Sequence, residues 1–161
     1  MAITPEDRQA LVIRYRDGAD AFRAALADVV EAELDERPIE GEWTIREIAH
    51  HLADSELTSA VRLRRLIAED EPALQGYDET AFVRRLHVTE RPIGSSIDAA
   101  AAARASTLTI LEALSDDECA RTGVHAEQGP YSVEAWLVDY ANHPWDHAEQ
   151  ALRVLAALRA G

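Results

Sequence analysis

The sequence predicts an all-α protein, a four-helix bundle with long connections. Three observations carry that expectation. Apolar residues recur with helical period in four long stretches, most of them opened by a capping residue, and period-two alternation is absent over any useful length. Two of the connections are long and punctuated by Gly and Pro, as in bundles whose helices are not joined by tight turns.

The elements follow in order. Thr4 before Pro5 and two acids reads as an N-cap with proline at the first helical position, opening an amphipathic run from Pro5 to about Leu34, weakened in its middle by Gly18. "DERPIEGEW" is a loop, and Thr44 with Glu47 three positions on forms a capping box for a second helix to about Glu69. "DEPALQGYDETAFVRRLHVTERPIGSS" is a long connection holding one short helix near Glu79–Leu86. Ser95 or Ser96 caps a third helix through "IDAAAAARASTLTILEALS", and "DDECARTGVHAEQGP" is a second loop. Ser132 caps the fourth helix, which runs to about Leu158.

At 161 residues the chain is expected to form one domain over 1–161. The 30 acidic residues outnumber the 16 basic ones, all arginine, for a net charge of -14, and the arginines do not cluster. That balance disfavours nucleic acid as a partner. The single cysteine, Cys119, excludes an internal disulfide framework, and the first residues show neither a basic nor an apolar leader segment. No apolar run approaches the roughly 20 residues that span a bilayer. No membrane association and a cytoplasmic location are the expectation.

"DYANHPWDHAEQ" carries the chemistry. His143 and His147 fall within the apolar stripe of the fourth helix formed by Val133, Trp136, Leu137, Tyr140, Ala151, Val154 and Leu155. Their i, i+4 spacing stacks them on one face, where two imidazoles can converge on one metal ion, although spacing alone slightly favours two hydrogen-bonded core histidines. A third ligand on a facing helix decides between these, since catalytic zinc-type sites commonly use three protein ligands and leave a position open. "AHHLADSE" on the second helix offers His50 and His51, and periodicity does not choose between them. His87 and His125 lie in loops and are expected to face solvent. Pro144 cannot donate to the carbonyl of Tyr140, so the fourth helix either kinks beside the histidine pair or breaks and restarts there.

Two motifs resemble the DinB-like superfamily of four-helix-bundle metal-binding proteins: "RPIEGEWTIREIAHHLADSE" and "YANHPWDHAEQ". "GPYSVEAWL" is similar to the family's segment leading into the last helix. In the family the first ligand lies eight residues after the tryptophan, which from Trp43 gives His51. His143 and His147 match the other two ligand positions. The family often has a further His where this chain has Asp146, and Pro144 is also a departure. The resemblance implies a divalent metal ion, zinc or nickel, and a small-molecule substrate. It further implies chemistry such as metal-dependent transfer of a low-molecular-weight thiol (bacillithiol or mycothiol) or thiol-dependent isomerisation, and a homodimer.

The leading expectation is therefore a metal-dependent thiol transferase, with a metal-dependent hydrolase or a non-catalytic metal- or ligand-binding stress-response protein as alternatives. Asp54, Glu56 and Asp146 are acid/base candidates, each more readily read as a solvated carboxylate. Arg62, Arg64 and Arg65 are either a charged face or a site for an anionic cosubstrate. Tyr140 lies one turn before His143 and points either into the site or into the core. Cys119, behind two aspartates, is not read as a nucleophile.

Overall fold

A computed structural model of the chain describes residues 3–161. Four long helices form the bundle: α1 (Pro5–Ala25), α2 (Ile45–Ala68), α4 (Ile93–Leu111) and α6 (Val133–Ala160). A short α3 (Glu79–Arg85) lies in the connection after α2, and a single turn, α5 (Asp116–Cys119), follows α4. The expected mostly helical bundle is what the structure shows.

Local signals act where the sequence places them. Thr44 Oγ1 accepts the Glu47 amide while Glu47 Oε2 accepts the Thr44 amide, a complete capping box. Thr4 with Asp7 forms another, and Ser132 caps α6 through the Ala135 amide. Two boundaries differ from expectation. α1 stops at Ala25, because the β-branched pair Val29–Val30 and the acids Asp28, Glu31 and Glu33 disfavour a continued helix C-terminus. Neither Ser95 nor Ser96 caps α4: it starts at Ile93 behind Pro92, and the buried Ser96 hydroxyl pairs with His50.

Packing partners define the topology. α1 and α2 each lie against both α4 and α6, so α1 and α2 face each other across the bundle. Cross-helix contacts give the directions. Arg8–Glu134 and Arg14–Asn142 make α1 parallel to α6, and His50–Ser96 and Arg64–Thr107 make α2 parallel to α4. A parallel neighbour requires the chain to travel back along the bundle, which is why the connection between α2 and α4 is long.

That connection and the next also build a small sheet, an addition to the bundle that the sequence does not signal. β1 (Ala73–Leu74) pairs in parallel with β2 (Thr122–His125), which pairs antiparallel with β3 (Gly129–Ser132). Gly123 lets β2 approach closely, since a Cβ there would lie 2.6 Å from the Pro72 carbonyl oxygen. His125, expected in solvent, is buried in β2, whereas His87 is exposed.

The core has two apolar halves. One gathers Phe22, Ile48, Leu52, Ala151 and Val154, and the other gathers Tyr15, Leu63, Leu66, Trp136 and Leu137. Between them lies a polar layer centred on Arg104 and Glu56, 2% and 0% exposed, whose guanidinium and carboxylate meet at 2.5 Å. Arg104 Nη1 also donates to the Tyr140 carbonyl (3.1 Å), the oxygen that Pro144 leaves without its helical donor, and Nη2 donates to the Tyr15 carbonyl. One arginine on α4 thus touches α1, α2 and α6. α6 runs through Pro144 without a break, which settles the alternative left open by the sequence. Gly18 on α1 accommodates the proline, as a Cβ there would sit 3.1 Å from Pro144 Cγ.

Candidate metal centre

His51 projects from α2 toward α6, where His143 and His147 sit one turn apart. One ring nitrogen from each lies within 4.8 Å of the others. Ring centroids are 4.8 Å apart for His51–His147, 5.4 Å for His51–His143 and 4.5 Å for His143–His147. Trp43, in the loop before α2, lies 4.7 Å from the His51 ring and stacks on His147. His51 is buried and the other two are half-buried.

The hydrogen bonds assign the protons. Gln150 donates its amide to Glu42 Oε2 (3.0 Å), a carboxylate that only accepts, which turns Gln150 Oε1 toward His147 Nδ1 at 2.8 Å. His147 therefore carries its proton on Nδ1. Its Nε2 lone pair points at His143 Nε2, 3.1 Å away. His143 Nδ1 is buried without a partner, 3.9 Å from Glu56 Oε1, and Glu56 Oε2 is also unpartnered. Without a metal, His143 Nε2 donates to that lone pair; a proton moved to His143 Nδ1 would face the Glu56 carboxylate and leave both Nε2 lone pairs to a cation. Two facing lone pairs repel unless a cation lies between them. Tetrahedral ligands of a zinc-sized ion stand roughly 3.3 Å apart, from metal–nitrogen bonds of about 2.0–2.1 Å. The donor set fits a divalent metal of the kind imidazoles prefer.

Burial, helped by the neighbouring imidazoles, lowers His51 to about 3 and His147 to about 4 from the usual 6.5. Both are neutral at pH 7, as metal binding requires. Between those values and 6.5 the unfolded chain binds protons that the folded chain does not. The contribution to stability is complete above pH 6.5 and is lost as pH falls toward the folded values. Metal-free protein is expected to melt at a lower temperature at pH 5 than at pH 7.5, with a smaller difference in a His51→Phe variant. An equal difference in both would remove the histidines as its cause.

His50 serves another purpose. Its Nδ1 accepts from the Ser96 hydroxyl (2.7 Å) and its Nε2 donates to the Arg91 carbonyl (3.2 Å), tying α2 to the start of α4. His50→Ala is expected to cost about 1–3 kcal/mol in urea denaturation by leaving Ser96 and Arg91 without partners. The histidine cluster should remain intact.

The other candidates separate. Glu56 is fully buried against Arg104, contrary to the solvated reading, whereas Asp146 is exposed. Asp54 is half-buried, and burial raises its carboxyl. Arg64 and Arg65 make structural contacts to Thr107 and Ser106 and to Glu69 and Ala73. Arg62 is buried and donates to the Tyr140 hydroxyl, whose ring lies 5.7 Å from that of His143. Cys119 is buried, and burial pushes its thiol up, away from nucleophilic character. Arg104 was missed from the sequence. Its position on the stripe Ala100, Thr107 and Leu111 was the available signal.

Fold and site together define a class: a four-helix bundle with three histidines converging from two facing helices. The chain belongs to the DinB superfamily, whose family model matches residues 14–151. A relative from Oceanobacillus iheyensis, provisionally named a metal-dependent hydrolase, is 32% identical over 126 residues, covering 78% of this chain and 73% of its own. A similarly named protein from Bacillus pumilus is 23% identical over 154 residues, covering 93% of this chain and 87% of its own. Among solved structures, YfiT from Bacillus subtilis is described as having an unusual four-helix bundle topology and provisionally as a metal-dependent hydrolase. It superposes with a TM-score of 0.92 at 22% identity, covering 98% of this chain and 91% of its own. A mycothiol-dependent maleylpyruvate isomerase superposes with a TM-score of 0.70 at 18% identity, covering 96% and 71%. Among the described residues no helix is long and apolar enough to cross a membrane.

Proposed function

We propose that this chain is a metal-dependent enzyme in which His51, His143 and His147 hold a divalent ion, zinc or nickel. The observation that carries the reading is the convergence of one ring nitrogen from each of the three histidines within 4.8 Å, with the His143 and His147 Nε2 atoms 3.1 Å apart. A divalent ion there lowers the pKa of a thiol or water and supplies Lewis acidity. His147 is oriented by Gln150 and Glu42, and His143 faces Glu56, which Arg104 anchors. Trp43 covers one side of the cluster and limits water access, while the Tyr140 ring lies 5.7 Å from that of His143.

The leading chemistry is addition of a low-molecular-weight thiol to an electrophilic small molecule, which the family resemblance supports. Hydrolysis, with water as nucleophile, is favoured by the names of the relatives. One assay separates them. Metal-loaded protein is incubated with a chromogenic aryl halide plus bacillithiol, mycothiol or cysteine, and in parallel with an aryl ester and no thiol. Thiol-dependent conjugation that disappears on chelation supports the first, and thiol-independent ester cleavage supports the second. Neither reaction, in protein shown to hold metal, would favour a binding protein without turnover. The homodimer is tested by light scattering, where a mass of twice 17.8 kDa is expected and the single value would exclude it.

A further inference from the structure

Three arginines are buried in this chain: Arg46, Arg62 and Arg104. Arg46 pairs with Glu31 and Asp35, and Arg104 pairs with Glu56. Arg62, 8% exposed, has no carboxylate among the described residues. It meets only neutral acceptors, the Gln75 carbonyl at 3.1 and 2.6 Å and the Tyr140 hydroxyl at 3.2 Å. A buried guanidinium in contact with neutral acceptors alone keeps its charge available to an anion that can reach it.

The space beside Arg62 fits that visitor. A cavity of about 110 Å³, room for roughly three or four waters, borders Arg62, Ser55, Tyr77, His125 and Tyr140. Several of the groups that line it are donors. The Tyr140 oxygen accepts from the guanidinium, so its own proton is free. The Tyr77 hydroxyl is buried with no partner, and the Tyr77 ring lies 5.8 Å from the guanidinium carbon. His125 Nδ1 accepts the Glu127 amide at 3.3 Å, which puts the ring proton on Nε2. Tyr131, which also borders the cavity, donates its hydroxyl to Asp139 at 2.6 Å and offers nothing further. Glu79, Glu127 and Asp139, all exposed, also line it. Their charge opposes a polyanion more strongly than a singly charged carboxylate, which is the anion that best suits this small cavity.

We propose that this cavity is a carboxylate subsite, in which Arg62, Tyr77 and Tyr140 bind the carboxylate of a small organic acid. The cavity adjoins the histidine cluster, because Ser55 follows His51 by one turn of α2 and Tyr140 precedes His143 by one turn of α6. An acid anchored at Arg62 extends its other end toward His143. That the anchored acid is the molecule transformed there rests on the metal-dependent reading above. The binding of the carboxylate does not.

The test is titration of the full chain with propionate, followed by amide NMR, on protein as purified and after chelation, with propionamide as the neutral isostere. Saturable shifts around Tyr77 and His125 are expected with propionate in both preparations. Propionamide should bind at least about ten-fold more weakly, since it lacks the charge that pairs with the guanidinium. Arg62→Met should abolish the effect. Tyr77→Phe, which removes only a hydroxyl without a partner and so keeps the fold, should weaken propionate several-fold. Equal binding of acid and amide, or unchanged propionate affinity in Tyr77→Phe or a folded Arg62→Met, would overturn the proposal. No saturable shift in either preparation would overturn it as well. Binding that survives chelation in a protein devoid of metal-dependent activity would keep the subsite and reject the metal reading.

Discussion

Arg104→Met is expected to destabilise the protein by about 3–5 kcal/mol, the cost of removing one partner from a buried ion pair. The substitution fills most of the space but leaves Glu56, fully buried, without its guanidinium, and frees the Tyr140 and Tyr15 carbonyls as well. Because Pro144 already deprives Tyr140 of its helical donor, the damage concentrates at the turn of α6 that carries His143. Glu56→Leu together with Arg104→Met should cost less than the sum of the single changes, since neither charge is then stranded. Urea denaturation of the two single variants and the double variant measures this. Additive costs, or an Arg104→Met effect below about 1 kcal/mol, would mean that the pair is not the keystone of the polar layer.

The second large effect concerns the histidines. A ligand that binds only the folded state at a thousand times its dissociation constant stabilises by about 4 kcal/mol. For a chain of this size that corresponds to a rise in Tm of about 8–16 °C. Zinc or nickel added to chelated protein should raise the melting temperature by that order. The rise should vanish in His147→Ala, which removes one of the three proposed ligands, and persist in His50→Ala, whose ring points at Ser96 and Arg91. A comparable rise in His147→Ala would place the metal elsewhere.

Much of this architecture is written in local chemistry. The capping boxes at Thr4 and Thr44 and the i, i+4 pair His143 and His147 depend only on residues a turn apart, so they are visible without a fold. His50 and His51 were not separable by periodicity because α2 packs against α4 on one flank and α6 on another. Its buried face is wider than a single stripe, and both histidines lie within it, facing different neighbours. Only the spacing from Trp43, read through the family resemblance, pointed to His51.

Glu56 and Arg104 show the converse. Each looks like a surface charge in its own segment, and the contact that buries them joins residues 48 positions apart. Strands of two to four residues carry no usable alternation, which is why β1, β2 and β3 were invisible and His125 was placed in solvent. Arg62 stood in the sequence beside Arg64 and Arg65 with nothing to distinguish it. That it pairs with neutral acceptors and no carboxylate emerges only when the sheet and α3 close over the middle of α2.

The central claim is most directly tested by metal analysis of untagged protein by mass spectrometry, with wild type beside His51→Ala, His147→Ala and His50→Ala. Near-stoichiometric divalent metal in wild type and His50→Ala, lost in His51→Ala and His147→Ala, is the result predicted. Metal absent from the wild type after reconstitution, or retained in both ligand variants, would contradict it.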